Sequence, residues 1–188
     1  MVISLPIRWH WSGPYVVCCD GAANTYIRSG RMPEAIVGDG DSLLPDIKER
    51  YASLIHSEAE QETNDLSKAF RFCLSQERKR ITIMGATGKR EDHTIGNVSL
   101  LADYMEQAEV SMMTDYGIFV PIREDSMFES YIGQQISVFN MNSTALSAEG
   151  LAYPLSVFTN WWQGTLNEAL ARHFIIRTEG KVLVFRVF

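Results

Sequence analysis

Three short apolar runs in the first half of the chain each end in a glycine-containing turn, two of them carrying aspartate. Tyr15-Val16-Val17-Cys18-Cys19 leads into Asp20-Gly21, and Ala35-Ile36-Val37 into Gly38-Asp39-Gly40-Asp41-Ser42. Ile81-Thr82-Ile83-Met84 leads into Gly85-Ala86-Thr87-Gly88, and a weaker run lies at Ser53-Leu54-Ile55-His56. Between the runs the apolar period is helical. Leu66, Ala69, Phe70, Cys73 and Leu74 recur at i, i+3, i+4, i+7 and i+8 behind Thr63 and Asn64, either of which can cap a helix. Ile95, Val98, Ala102 and Met105 give a second such face, with Asp92 near its start, where a carboxylate is favoured. Strand and helix in alternation fold as a mostly parallel sheet covered by helices.

After about Ala108 the pattern changes to short apolar runs at close spacing, over residues 110–114, 118–122, 135–139, 174–177 and 182–188. Glu179-Gly180 separates the last two, and a short glycine-containing link between apolar runs predicts a hairpin. The fold class expected is therefore an α/β N-terminal domain over residues 1–108, with a Rossmann-like sheet and flanking helices. An all-β C-terminal sandwich follows over residues 109–188.

Composition narrows the function. The 188 residues carry 17 Lys+Arg against 23 Asp+Glu, a net charge of −6. An acidic chain is a poor binder of nucleic acid by backbone neutralisation. At 46% hydrophobic and 21% charged it has the composition of a folded globular protein. No apolar run approaches the ~18 residues of a membrane helix. The segment MVISLPIRWHWSG lacks the pattern of a secretory leader. Cys18, Cys19 and Cys73 form no disulfide or zinc spacing with one another or with the four histidines, so buried thiols in the cytoplasm are expected.

In open α/β sheets ligands bind outside the carboxyl ends of the strands. Here those ends, with the helix entry at Gln61-Glu62-Thr63-Asn64-Asp65, bring Asp20, Asp39, Asp41, Asp65 and Asp92 towards one rim. Gathered carboxylates repel unless a cation neutralises them, and hard oxygen ligands suit Mg²⁺, usually held by one or two carboxylates plus substrate phosphates. Gly85-Ala86-Thr87-Gly88-Lys89-Arg90 is not a P-loop, because its glycines are too close and Arg90 stands where Ser or Thr must reach the metal. It also lacks the third glycine of a dinucleotide fingerprint. A glycine-rich strand end followed by Lys-Arg and a helix is still suited to phosphate oxygens.

Taken in order, these segments resemble the thiamin pyrophosphokinase family. Asp20-Gly21-Ala22-Ala23-Asn24 is similar to the family's D-G-G-A-N, and Gly38-Asp39-Gly40-Asp41-Ser42 to its G-D-x-D-S. Asn64-Asp65-Leu66-Ser67-Lys68-Ala69 resembles T-D-x-x-K-A, and the run from Gly85 to His93 resembles G-A-T-G-x-R-x-D-H. In the second half, Gly150-Leu151-Ala152-Tyr153-Pro154-Leu155 resembles G-L-x-[YW]-x-L, and Gly164-Thr165-Leu166-Asn167-Glu168 resembles G-x-S-N-E. Three positions depart from the pattern: Ala22 for glycine, Asn64 for threonine, and Leu166 for serine, which removes a hydroxyl from the expected thiamin site.

The resemblance implies transfer of the terminal diphosphate of ATP to thiamin, giving thiamin diphosphate and AMP with Mg²⁺, by a cytoplasmic homodimer with active sites between subunits. By position it makes Asp39, Asp41, Asp65 and Asp92 catalytic, the first three of them on the metal. It puts Asp20, Gln61, Asn64, Lys68, Thr87 and Arg90 at the nucleotide, and Tyr153, Thr165 and Asn167 at thiamin. Two alternatives stand beside it: a related Mg²⁺-dependent diphosphotransferase acting on another primary alcohol, and a non-catalytic module binding nucleotide or thiamin.

Overall fold

The computed structural model describes residues 15–58, 60 and 62–188. Gln61 and the N-terminal segment read above for a leader lie outside the described residues. The chain divides into two compact units, Met1–Asn97 with Gln107–Glu109, and Val98–Glu106 with Val110–Phe188.

The first unit runs β1 (Val17–Cys19), α1 (Ala22–Arg28), β2 (Ala35–Gly38), α2 (Pro45–Arg50), β3 (Ile55–Ser57), α3 (Asp65–Ser75) and β4 (Arg80–Met84), then enters α4 (Glu91–Ser99). Strands β1, β2 and β3 pair in parallel in that order, with Cys18 beside Ile36 and Ile36 beside Ile55. Val17, Cys18, Ala35, Ile36 and Val37 are all buried, as expected where both faces of a parallel strand are covered. Helix α3 packs over β1 and β2 through the predicted stripe, with Leu66, Ala69, Phe70 and Cys73 buried.

Two expectations need correction. Among the described residues the parallel sheet has three strands, and β4 stands outside it. The second helical face is not a buried one: no residue of α4 is buried, and Ile95 is exposed. The helix stops at Ser99, after the weak helix formers Gly96 and Asn97, and the buried apolar residues are Leu101 and Tyr104 of a separate short helix, α5 (Leu101–Tyr104).

The second unit contains β5 (Glu109–Met113), β6 (Gly117–Ile122), β7 (Ser126–Glu129), β8 (Gln135–Asn140), β9 (Leu146–Glu149), β10 (Asn167–Glu168), β11 (His173–Thr178) and β12 (Val182–Val187). One antiparallel sheet runs β10-β8-β12-β6-β5, the other β7-β11-β9. Ile136, Val138, Val182 and Val184 of the first share a core with Phe128, Leu146, Phe174 and Ile176 of the second.

The predicted hairpin is not formed. Strand β11 is already paired on both sides by β7 and β9, and β12 by β6 and β8, so Glu179-Gly180 carries the chain from one sheet to the other. Gly180 has φ 123°, and a Cβ there would lie 2.8 Å from the Ser143 Cα. Strands β7, β9 and β10 are too short and too polar to be evident in the sequence.

Candidate active site

The carboxyl ends of β1 and β2 are built into one another. Asp20 follows β1 with φ 26°, is 4% exposed, and donates its amide to Val37 O at 2.9 Å. Its Oδ2 accepts from the Ser42 amide at 3.0 Å, which ties it to the loop after β2. Gly38 makes this approach possible, since a Cβ there would lie 2.8 Å from the Asp20 Cβ. Asn24, one turn into α1, holds the same loop twice: its Nδ2 donates to Ser42 O at 2.8 Å, and its Oδ1 accepts from the Leu44 amide at 3.0 Å. Within the loop, Asp39 Oδ1 accepts from the Asp41 amide at 3.0 Å.

The start of α3 adds to this cluster. Asn64 caps the helix, its Oδ1 accepting from the Ser67 amide at 2.9 Å. Lys68 is 3% exposed and its Nζ lies 3.4 Å from Asp65 Oδ1. The Asp65 carboxyl is held above the ordinary carboxylate range, first by burial; Lys68 opposes the rise, while the charges of Asp20 and Asp39 add to it. Asp20, Asp39, Asp65 and Lys68 therefore share one electrostatic neighbourhood.

Thr87 and Arg90 line a cleft of about 320 Å³ formed by the glycine-rich loop with His93, Thr94 and Asn97 of α4. Asn97 Nδ2 donates to Ala86 O at 2.9 Å, and its Oδ1 accepts from Asn64 Nδ2 at 3.3 Å, linking this loop to the cap of α3. Arg90 forks onto Asp92 through Nε at 3.1 Å and Nη2 at 2.5 Å, which holds the Asp92 carboxyl below its ordinary range. Both side chains are exposed, so the pair adds little to stability.

The three candidate thiamin residues lie in the second unit and differ in what they offer. Tyr153 presents an exposed ring. Asn167 is buried and its amide is occupied: Oδ1 accepts from the Tyr153 amide at 3.0 Å, and Nδ2 donates to Tyr153 O at 2.8 Å. Thr165 turns its hydroxyl onto Trp162 O at 2.7 Å. Between them Leu166 is 76% exposed at φ 62°, a strained conformation for a non-glycine residue. Trp162 beside it is also exposed.

Among the described residues, no three His, Cys, Asp or Glu side chains gather closely enough to hold a metal by themselves. The donor set nevertheless fits Mg²⁺ completed by phosphate oxygens. Asp20 Oδ1 is buried with no hydrogen-bond partner, and the charges of Asp20 and Asp39 both act on Asp65, a concentration of negative charge that a cation would neutralise. Sequence reasoning did not identify Asn24 or Asn97 as supports, although Asn24 stands inside a motif it quoted and Asn97 lies four residues beyond another.

A parallel-sheet unit with a carboxylate rim and glycine-rich loop, joined to a β-sandwich, is a fold already known in solved structures. A structure of thiamine pyrophosphokinase from Bacillus subtilis superposes with a TM-score of 0.79 at 21% identity, covering 92% of this chain and 87% of that one. The family model for the thiamin pyrophosphokinase catalytic domain matches residues 8–113, and that for its substrate-binding domain matches residues 117–185. The chain belongs to the thiamin pyrophosphokinase family. Thiamine pyrophosphokinase 1 of Oryza sativa subsp. japonica is 30% identical over 129 residues, 55% of this chain and 49% of that protein. Thiamin pyrophosphokinase 1 of Caenorhabditis elegans is 30% identical over 110 residues, 54% of this chain and 45% of that protein. The match thus spans about half the length of these curated relatives.

Proposed function

We propose that the protein transfers the terminal diphosphate of ATP to the hydroxyethyl group of thiamin, releasing AMP. The observation that carries this reading is the Asp20–Asp39–Asp65–Lys68 cluster, with one buried oxygen of Asp20 unpartnered, in the same unit as the glycine-rich cleft. Family membership supplies the substrates. In the reaction, the thiamin hydroxyl oxygen forms a bond to the β-phosphorus of ATP and gives up its proton. The bond from that phosphorus to the bridging oxygen breaks, and AMP departs with the oxygen.

Residues 1–108 are read as the Rossmann-like nucleotide unit and residues 109–188 as the thiamin-binding and dimerisation unit. Asp39, Asp41 and Asp65 would hold Mg²⁺, which when bound neutralises the charge of the phosphates. Asp20 braces the loop that carries Asp39 and Asp41. Lys68 offsets the charge of Asp65. Thr87 and the Arg90 guanidinium face the cleft in which phosphate oxygens would be held, with Asp92 orienting Arg90, and Asn64 ties the two parts of the site through Asn97. Gln61 is assigned to the nucleotide by its motif position alone. Tyr153 supplies an aromatic face for the cationic thiazolium, a contact of ~0.5–2 kcal/mol. Asn167 fixes the Tyr153 backbone, and Thr165 fixes the turn from Trp162.

A homodimer is supported by large exposed apolar side chains in the second unit, among them Ile132, Trp162 and Leu166. A cytoplasmic setting is supported by three free cysteines. Among the described residues no helix is long and apolar enough to cross a membrane.

The deciding experiment measures AMP and thiamin diphosphate from ATP and Mg²⁺ with and without thiamin. Stoichiometric formation of both products, dependent on thiamin, is expected. AMP release without thiamin, or binding of either substrate without turnover, overturns the reading.

A further inference from the structure

Resting on the function just proposed, we infer that Lys48 is a positioning residue for the Asp39–Asp41 carboxylate pair. It lies on α2, outside every motif quoted above, and reaches back to donate from Nζ to Gly40 O at 3.0 Å. That carbonyl belongs to the same peptide unit as the Asp41 amide. In a trans peptide the C=O and N–H point in opposite directions. The Asp41 amide, at the other end of the unit, donates to Asp39 Oδ1 at 3.0 Å. One peptide plane is therefore pinned at both ends, by Lys48 on its oxygen and by the Asp39 carboxylate on its nitrogen.

Gly40 has φ 76°, a conformation glycine tolerates, and a Cβ there would lie 3.3 Å from Lys48 Nζ. Asn24 and Asp20 hold the loop further along, at Ser42 and Leu44, and leave the peptide between the two candidate ligands to Lys48. An ammonium here does two things: it fixes the carbonyl by a charge-assisted hydrogen bond, and it brings a positive charge to a loop holding two carboxylates. Groups that orient metal ligands from outside typically change metal affinity or activity by about 10–100-fold when removed.

The test is a titration of the purified full chain with Mn²⁺, read by the electron paramagnetic resonance of the free ion, alongside steady-state kinetics. The variants are Lys48→Met, which keeps the apolar stem, Lys48→Arg, which keeps charge and donors, and Asp39→Asn. Lys48→Met is expected to bind Mn²⁺ about tenfold more weakly and to need correspondingly more Mg²⁺ for half-maximal rate. Its KM for thiamin should stay unchanged, and Lys48→Arg should recover part of the metal affinity. Mn²⁺ affinity in Lys48→Met equal to wild type, or no Mn²⁺ binding by wild type, overturns the inference. A wild type that binds Mn²⁺ but makes no thiamin diphosphate overturns the proposed function instead, and the Mn²⁺ series still decides the role of Lys48.

Discussion

Asp39 and Asp65 occupy similar motifs but are under different constraints, and substitution separates them. Asp39→Asn keeps an acceptor for the Asp41 amide and removes a charge, so folding should be little changed. Turnover should fall on the order of 10²-fold, the scale of losing one electrostatic stabiliser; near-normal rates at limiting Mg²⁺ would remove Asp39 from the site. For Asp65 the pH dependence of stability gives the test. Its carboxyl is raised, mainly by burial, so the stability it contributes is present below its unfolded pKa and is lost as pH rises through the folded value. Asp65→Asn escapes that loss. In metal-free buffer the variant should melt higher than wild type at pH 7, with the gap closing towards about pH 3, below the unfolded value. A variant that melts lower at pH 7 would mean that leaving Lys68 buried without a charged partner outweighs the relief. Asp20 and Asp39 were legible in the sequence because each opens an Asp-Gly turn at the end of an apolar run, and Asp65 because it opens a helix. Lys48 and the inward turn of Asn167 were not, because each acts through a backbone group that the fold brings to it.

Helix α3 was the most legible element, since its stripe, its cap and its acidic first residue all agree. Asn64→Ala removes the cap and should cost ~1 kcal/mol of stability, measured by urea unfolding. It also cuts the link to Asn97, so the KM for ATP should rise with it if the glycine-rich loop depends on that link. An unchanged KM would confine Asn64 to capping. The passage through Glu179-Gly180 shows why a local signal misleads. Two apolar runs with a short glycine link fit a hairpin or a crossing between sheets equally well, and the choice lies with distant strands β6 to β9. Gly180→Ala tests that choice: φ 123° and the Ser143 Cα at 2.8 Å make the substitution strained, a cost of roughly 1–3 kcal/mol. In a hairpin of the two strands the positive φ would still disfavour alanine, but no Ser143 backbone would stand against the new Cβ, so the cost would sit at the low end of that range. The α4 stripe failed for a related reason. Periodicity identifies a face, and only packing determines whether that face is covered.

For the molecule as a whole, the charge balance and the second unit lead to separate measurements. Light scattering should give twice the 21.3 kDa of one chain if exposed residues such as Ile132 and Trp162 meet a second copy; the mass of a monomer would leave them without that role. The net charge of −6 bears on the other measurement. Part of that charge lies at Asp20, Asp39 and Asp65, where burial above all, with the neighbouring like charges adding to it, raises the Asp65 carboxyl. A ligand that binds only the folded chain stabilises it by mass action, ~2.7 kcal/mol at a hundred times its dissociation constant. For a chain of this size each kcal/mol moves the melting temperature by about 2–4 °C. Mg²⁺ with ATP should therefore raise Tm by several degrees over the same protein in EDTA, and Asp39→Asn should lose most of that rise. An equal rise in NaCl of matched ionic strength would trace the effect to general screening of the acidic surface. A rise with ATP alone, undiminished by EDTA, would mean that the nucleotide binds without a metal.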